Sequence, residues 1–129
     1  MKKRLILKTL LFPIVANAAD YMPYPEAKIT SEQWESYHQV VKKDFANSER
    51  IYPDHNLATY SDDKTRISFA FTMKGHLAHP SWVTRQVVES NGTIDMQQIG
   101  YFAGDEKAFA VLFQQYAKLT EQTRKQFQK

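Results

Sequence analysis

The sequence predicts an α+β domain: a four-stranded antiparallel meander sheet with a helix at each end, in the order α-β-β-β-β-α. Three features carry this expectation: a capped amphipathic segment beginning near Thr30, a period-two apolar run followed by an Asn-Gly pair, and a long helical stripe that closes the chain.

Residues 19–29, including DYMPYPEAK, interleave Pro23 and Pro25 with Tyr21 and Tyr24, which favours an extended arm over a helix. Thr30 is then placed as an N-cap, with Gln33 completing a capping box and Ile29 positioned to staple onto Trp34. Trp34, Tyr37, Val41 and Phe45 follow at spacings of three and four, so they form one apolar helix stripe that ends near Asn47, before Pro53.

The period then changes. Leu57 to Tyr60 reads as a short strand, followed by a polar turn at Ser61-Asp62-Asp63-Lys64. In RISFAFTM, Ile67, Phe69, Phe71 and Met73 alternate with Ser68, Ala70 and Thr72, the pattern of a strand with one buried face. Trp82 to Glu89 is a third strand and Thr93 to about Phe102 a fourth, joined by Asn91-Gly92, the pair preferred in a two-residue type I′ hairpin. That turn pairs Ser90 with Thr93, Val87 with Met96 and Arg85 with Gln98. It puts Val83, Val87, Ile94 and Met96 on a face expected to be buried. Trp82, Thr84, Gln86, Asp95 and Gln97 fall on the other. The last helix starts at Asp105, with Phe109, Leu112, Phe113, Tyr116, Leu119, Thr123 and Phe127 as its stripe. Two helices on the Val83 face would leave the Thr84, Gln86 and Gln97 face open.

Lys2, Lys3 and Arg4 precede an apolar run and Ala16-Asn17-Ala18, the pattern of a secretory signal peptide over residues 1–18, with a single domain over 19–129. The run is too short for a membrane span, so no stable anchor is expected after cleavage, and the expected destination is the periplasm. Four of the seventeen Lys and Arg (Lys2, Lys3, Arg4, Lys8) lie in the leader, and none of the fourteen Asp and Glu does. The remainder therefore carries a net charge of −1, which removes the electrostatic argument for nucleic-acid binding. With no Cys, stability must come from packing and hydrogen bonds, and thiol chemistry is excluded.

The stretch KGHLAHPSW, Lys74 to Trp82, joins two strands. Gly75 permits a sharp change of direction, Pro80 stiffens the exit, and His79 is biased toward extended backbone because it precedes that proline. Three functions compete for it. As metal ligands, His76 and His79 would need a third from His55, His38 or Asp54. As a general base, one histidine would need a nucleophile and a carboxylate from Ser81, Thr84, Asp62 or Asp63. As a recognition element, the loop would offer Leu77 and Trp82 as apolar contacts beside the hydrogen-bonding rings of His76 and His79. Arg85, on the apolar face with Gln98 opposite, either extends its stem to the sheet edge or meets an anion. Recognition of a periplasmic protein or small ligand through His76, Leu77, His79, Trp82 and Arg85 is the expected function, with no cofactor; a small metal-dependent or histidine-based enzyme is the alternative.

The segments GHLAHP, WVTRQVVE and IGYFAGDE, within Phe69 to Phe113, resemble small exported bacterial proteins of uncharacterised function that share a G-H-x-A-H-P loop. The resemblance implies a periplasmic destination and no activity, substrate or catalytic residue.

Overall fold

The side chain of Thr30 accepts a hydrogen bond from the backbone N–H of Gln33, whose side chain accepts in turn from the N–H of Thr30, so the capping box forms as the spacing requires. In this computed structural model, which describes residues 21–128, the helix α1 spans Ser31–Asp44. The leader at 1–18 lies outside the described residues. Past α1 the chain makes one 3₁₀ turn, Ala46–Ser48, where the helix was expected to continue to Asn47.

Five strands follow: β1 Arg50–Tyr52, β2 Leu57–Asp62, β3 Ile67–Thr72, β4 Ser81–Ser90 and β5 Thr93–Phe102. They form one antiparallel sheet in sequential order, and the long helix α2, Glu106–Phe127, closes the domain with Asp105 as its N-cap. The expected four strands thus become five. The additional strand, β1, has three residues, too few to show an alternation, and precedes Pro53. The turn between β2 and β3 also falls later than expected, because β2 continues through Ser61 to Asp62.

The hairpin register is the one the Asn-Gly turn dictates: Ser90 with Thr93, Val87 with Met96, Arg85 with Gln98. Asn91 and Gly92 both have positive φ, 53° and 79°, as a type I′ turn needs.

The helices do not share a face. Phe69 pairs with Thr84 and Phe71 with Trp82, so the aromatic stripe of β3 lies on the same side as Trp82, Thr84 and Tyr101. Against it packs α1, through Trp34, Tyr37 and Val41. Tyr37 stacks on Trp82 at 4.7 Å, and Tyr101 lies 4.8 Å from the same indole. On the other side α2 packs Phe109 and Leu112 against Val83 and Phe102. The face expected to stay open is therefore the floor of the larger core at Thr84, and only its outer end, at Gln86 and Gln97, keeps solvent exposure. Even there Tyr21 donates a hydrogen bond to Gln97 from the N-terminal arm. The arm adds one parallel bridge, Lys28 to Phe102, at the edge of β5.

The α2 stripe shifts along its length. Thr120 is buried while Leu119 is exposed, because a 3.6-residue period carries the sheet-facing position from Phe109 through Phe113 and Tyr116 to Thr120. Among the described residues, no helix is long and apolar enough to cross a membrane.

Candidate functional site

Two turns in succession shape the loop between β3 and β4: the His76 N–H donates to the Met73 carbonyl at 3.0 Å and the His79 N–H to the His76 carbonyl at 3.1 Å. Gly75 has φ 106°, a left-handed conformation that glycine adopts without strain, and packs on the side chain of Asn56. Met73 donates its N–H to the Asn56 carbonyl at 2.7 Å. These contacts tie the histidine loop to the β1–β2 turn and bring His55 beside His76.

The two loop histidines are anchored differently. Nδ1 of His76 accepts the Ala78 N–H at 2.9 Å, which places the neutral ring's proton on Nε2. Nδ1 of His79 hydrogen-bonds the Thr72 hydroxyl at 2.8 Å, and its ring meets the edge of Trp34 at 5.0 Å. The His79-Pro80 peptide bond is cis. Burial lowers the pKa of both imidazoles; for His79 the Thr72 hydrogen bond and the Glu35 charge partly oppose it.

Leu77 projects from the loop with 86% of its surface exposed, and Val111 on α2 is 61% exposed. Between them is an open cleft of about 360 Å³ lined by Asp54, His55, His76, Leu77, Val111 and Gln115, among others. Its lining combines the apolar Leu77, Ala108, Val111 and Leu112 with two imidazoles, a carboxylate and two side-chain amides, Asn56 and Gln115. The sequence marked Asp54 and His55 only as possible third ligands and did not mark Val111, whose signal is an apolar side chain off the helix stripe.

Other expected site residues are elsewhere. Trp82 is fully buried, with 0% exposure, and has no surface to offer a partner; its role is in the core. Arg85 lies on the opposite sheet face, under α2. Its Nε donates to Thr120 Oγ1 at 3.0 Å, a terminal amino group to Met96 Sδ at 3.6 Å, and its guanidinium sits 5.9 Å from the Tyr116 ring centre. Thr120 in turn donates to Gln98 Oε1 at 2.6 Å, and the Gln98 amide donates to the Phe113 carbonyl. Arg85 thus holds α2 to the sheet and is not part of the loop site. Burial lowers its pKa.

The catalytic constellation does not assemble. Ser81 and Thr84 are fully buried, with hydroxyls facing neither histidine as a hydrogen-bond partner, and Asp62 is engaged by Thr65 in a turn. Nor do the metal candidates converge: among the described residues, no three His, Asp or Glu side chains are placed to hold an ion. His38 belongs to another array, in which Tyr60 donates its phenolic proton to Glu49 at 2.8 Å and therefore accepts from His38 Nε2 at 3.2 Å. Burial raises the Tyr60 pKa and lowers that of His38.

No family model, curated protein or solved structure matches the chain.

Proposed function

We propose that the protein is an exported binding or accessory protein of the periplasm that recognises a partner protein through the cleft between the Gly75–Ala78 loop and α2. The observation that carries this reading is Leu77, 86% exposed at the tip of a loop whose backbone is held by hydrogen bonds on both sides. An apolar side chain on a rigid support, rimmed by His55, His76 and Gln115, provides an anchor at little entropic cost on binding. Export is supported by the leader pattern at 1–18, and the near-neutral charge of the rest favours a protein over nucleic acid.

The test is site-specific photo-crosslinking in the envelope of the producing cell, with the crosslinker at Leu77, at Val111, and at Lys42 on α1 as a control. A single adduct formed from Leu77 and Val111, absent from Lys42, and abolished when Gln115→Arg obstructs the cleft supports the reading. Equal labelling from all three positions, or none, sinks it.

A further inference from the structure

The outer side of β5 is an interrupted sheet edge. At Phe102 the N–H donates to the Ala27 carbonyl and the carbonyl accepts the Ile29 N–H, so the backbone of Phe102 points away from β4, toward the arm. Alternate residues of a strand direct their backbone groups the same way, which turns Gly100, Gln98 and Met96 outward too. Met96 is covered: its carbonyl accepts from Arg124 at 2.7 Å and its N–H donates to its neighbour Asp95 at 2.7 Å. Among the described residues nothing pairs with the outward backbone of Gln98 and Gly100: β5 is the last strand, the arm's backbone bridges it only at Phe102, and the arm's further hydrogen bonds to β5 go to side chains, Tyr24 with the Tyr101 hydroxyl and Tyr21 with Gln97. Pro23 and Pro25 lack N–H groups and so offer this edge no backbone donors.

Directly beside this gap is a groove of about 410 Å³ lined by Gly100, Phe102, Phe109, Ala110 and Phe113, with Glu106 and Gln114 among its polar residues. A Cβ on Gly100 would come within 2.5 Å of the Phe109 ring, so the groove reaches the strand backbone only because residue 100 is glycine.

From these features we infer that the Gln98–Gly100 edge is a second binding site, which takes a short extended peptide segment of a partner by strand addition, with one apolar side chain in the Phe109–Phe113 groove. The unpaired donors and acceptors of Gln98 and Gly100 alternate at strand spacing and are complementary to another extended backbone. The lane is closed at one end by Ala27–Ile29 and at the other by Arg124. It therefore spans a segment of about three to five residues at ~3.3 Å per residue. A second copy of β5 does not fit: paired antiparallel with Gln98 opposite Gly100, it would carry its own Met96 into the lane held by Ala27–Ile29. This site lies on the opposite flank of α2 from the Leu77 cleft and does not depend on it.

The experiment is amide hydrogen exchange and chemical-shift titration of the folded protein with acetyl-Thr-Val-Leu-Val-Thr-amide and with the same peptide N-methylated on alternate residues. In the free protein the Gln98 and Gly100 amides should exchange quickly while those of Gln97, Ile99 and Tyr101, which face β4, are protected. The unmethylated peptide at about 1 mM, a concentration suited to such a small contact, should shift and protect Gln98 and Gly100. The peptide methylated on the bonding residues should not. Ala110→Glu, an exposed position on the groove wall, should weaken binding about tenfold or more while leaving the spectrum of the fold intact. Protected Gln98 and Gly100 amides in the free protein, no response to the peptide, or equal binding of the methylated peptide would each overturn the inference.

Discussion

The hydroxyl of Thr72 lies 2.8 Å from Nδ1 of His79. The same oxygen accepts the Ser81 N–H at 2.9 Å and lies 3.1 Å from the Ser81 carbonyl, which also accepts from the Trp34 indole at 3.1 Å. One threonine therefore connects the end of β3, the start of β4, the histidine loop and α1. Thr72→Val should cost about 1–3 kcal/mol, because it leaves the buried Ser81 N–H without an acceptor. Thr72→Ser, which keeps the oxygen, should retain most of that stability. Urea unfolding of the two variants measures the difference, and a loss in Thr72→Ser with none in Thr72→Val would show that the methyl group, not the hydroxyl, matters.

Trp82 and Leu77, one buried and one exposed, separate folding from the proposed recognition. Trp82→Ala removes an indole packed against Tyr37, Phe71 and Tyr101 and should destabilise by about 3–5 kcal/mol. Leu77→Ser, at an exposed loop tip, should change stability by no more than ~0.5 kcal/mol while abolishing the partner contact proposed for Leu77. Thermal melting run beside the crosslinking assay reads both effects.

Thr84 places a hydroxyl with no hydrogen-bond partner at a position with no exposure, opposite Phe69. Thr84→Val replaces it with a methyl group of nearly the same shape and should stabilise by about 0.5–1 kcal/mol. A loss of stability on chemical unfolding would mean that the hydroxyl is satisfied in solution.

Three histidines set a pH dependence. Burial lowers the pKa values of His38, His76 and His79, against the opposing charges of Glu35 and Glu49 at His38 and Glu35 at His79; Lys42 and Lys74 act in the same direction as burial. A depressed histidine pKa means that the unfolded chain binds the proton more tightly. Their contribution is thus fully present above about pH 6.5, the ordinary histidine value, and is lost as the pH falls through the lower folded values. Unfolding free energy should be level near pH 7.5 and decline below pH ~6.5, with a shallower decline in His38→Gln. Rising stability between pH 7.5 and 5.5 contradicts this assignment.

Much of the local structure was legible because it rests on local chemistry. The Thr30 capping box, the Asp105 cap and the Asn91-Gly92 turn each depend on residues within a few positions of one another, and the turn transmits its register along the whole β4–β5 hairpin. Register does not pass through Lys74–Pro80 in the same way. The apolar stripes of β3 and β4 were each visible, but an irregular loop conceals whether they face the same side, and in the fold they face opposite sides. Phe69 and Phe71 belong with α1, Val83 with α2. Three residues of β1 and the shift from Leu119 to Thr120 were hidden for similar reasons: one is too short for a period to show, and the other depends on where α2 crosses the sheet.

The candidate site divides in the same way. From the residues alone came the GHLAHP loop as a shaped element, the apolar Leu77 between two imidazoles, and a remainder too near neutrality to favour nucleic acid. Only the tertiary structure decided that Trp82 is core, that Arg85 serves α2, and that Val111 and His55 complete the cleft. Periodicity and turn chemistry are properties of neighbouring residues, whereas burial and convergence depend on which distant surface arrives to cover or to meet a side chain.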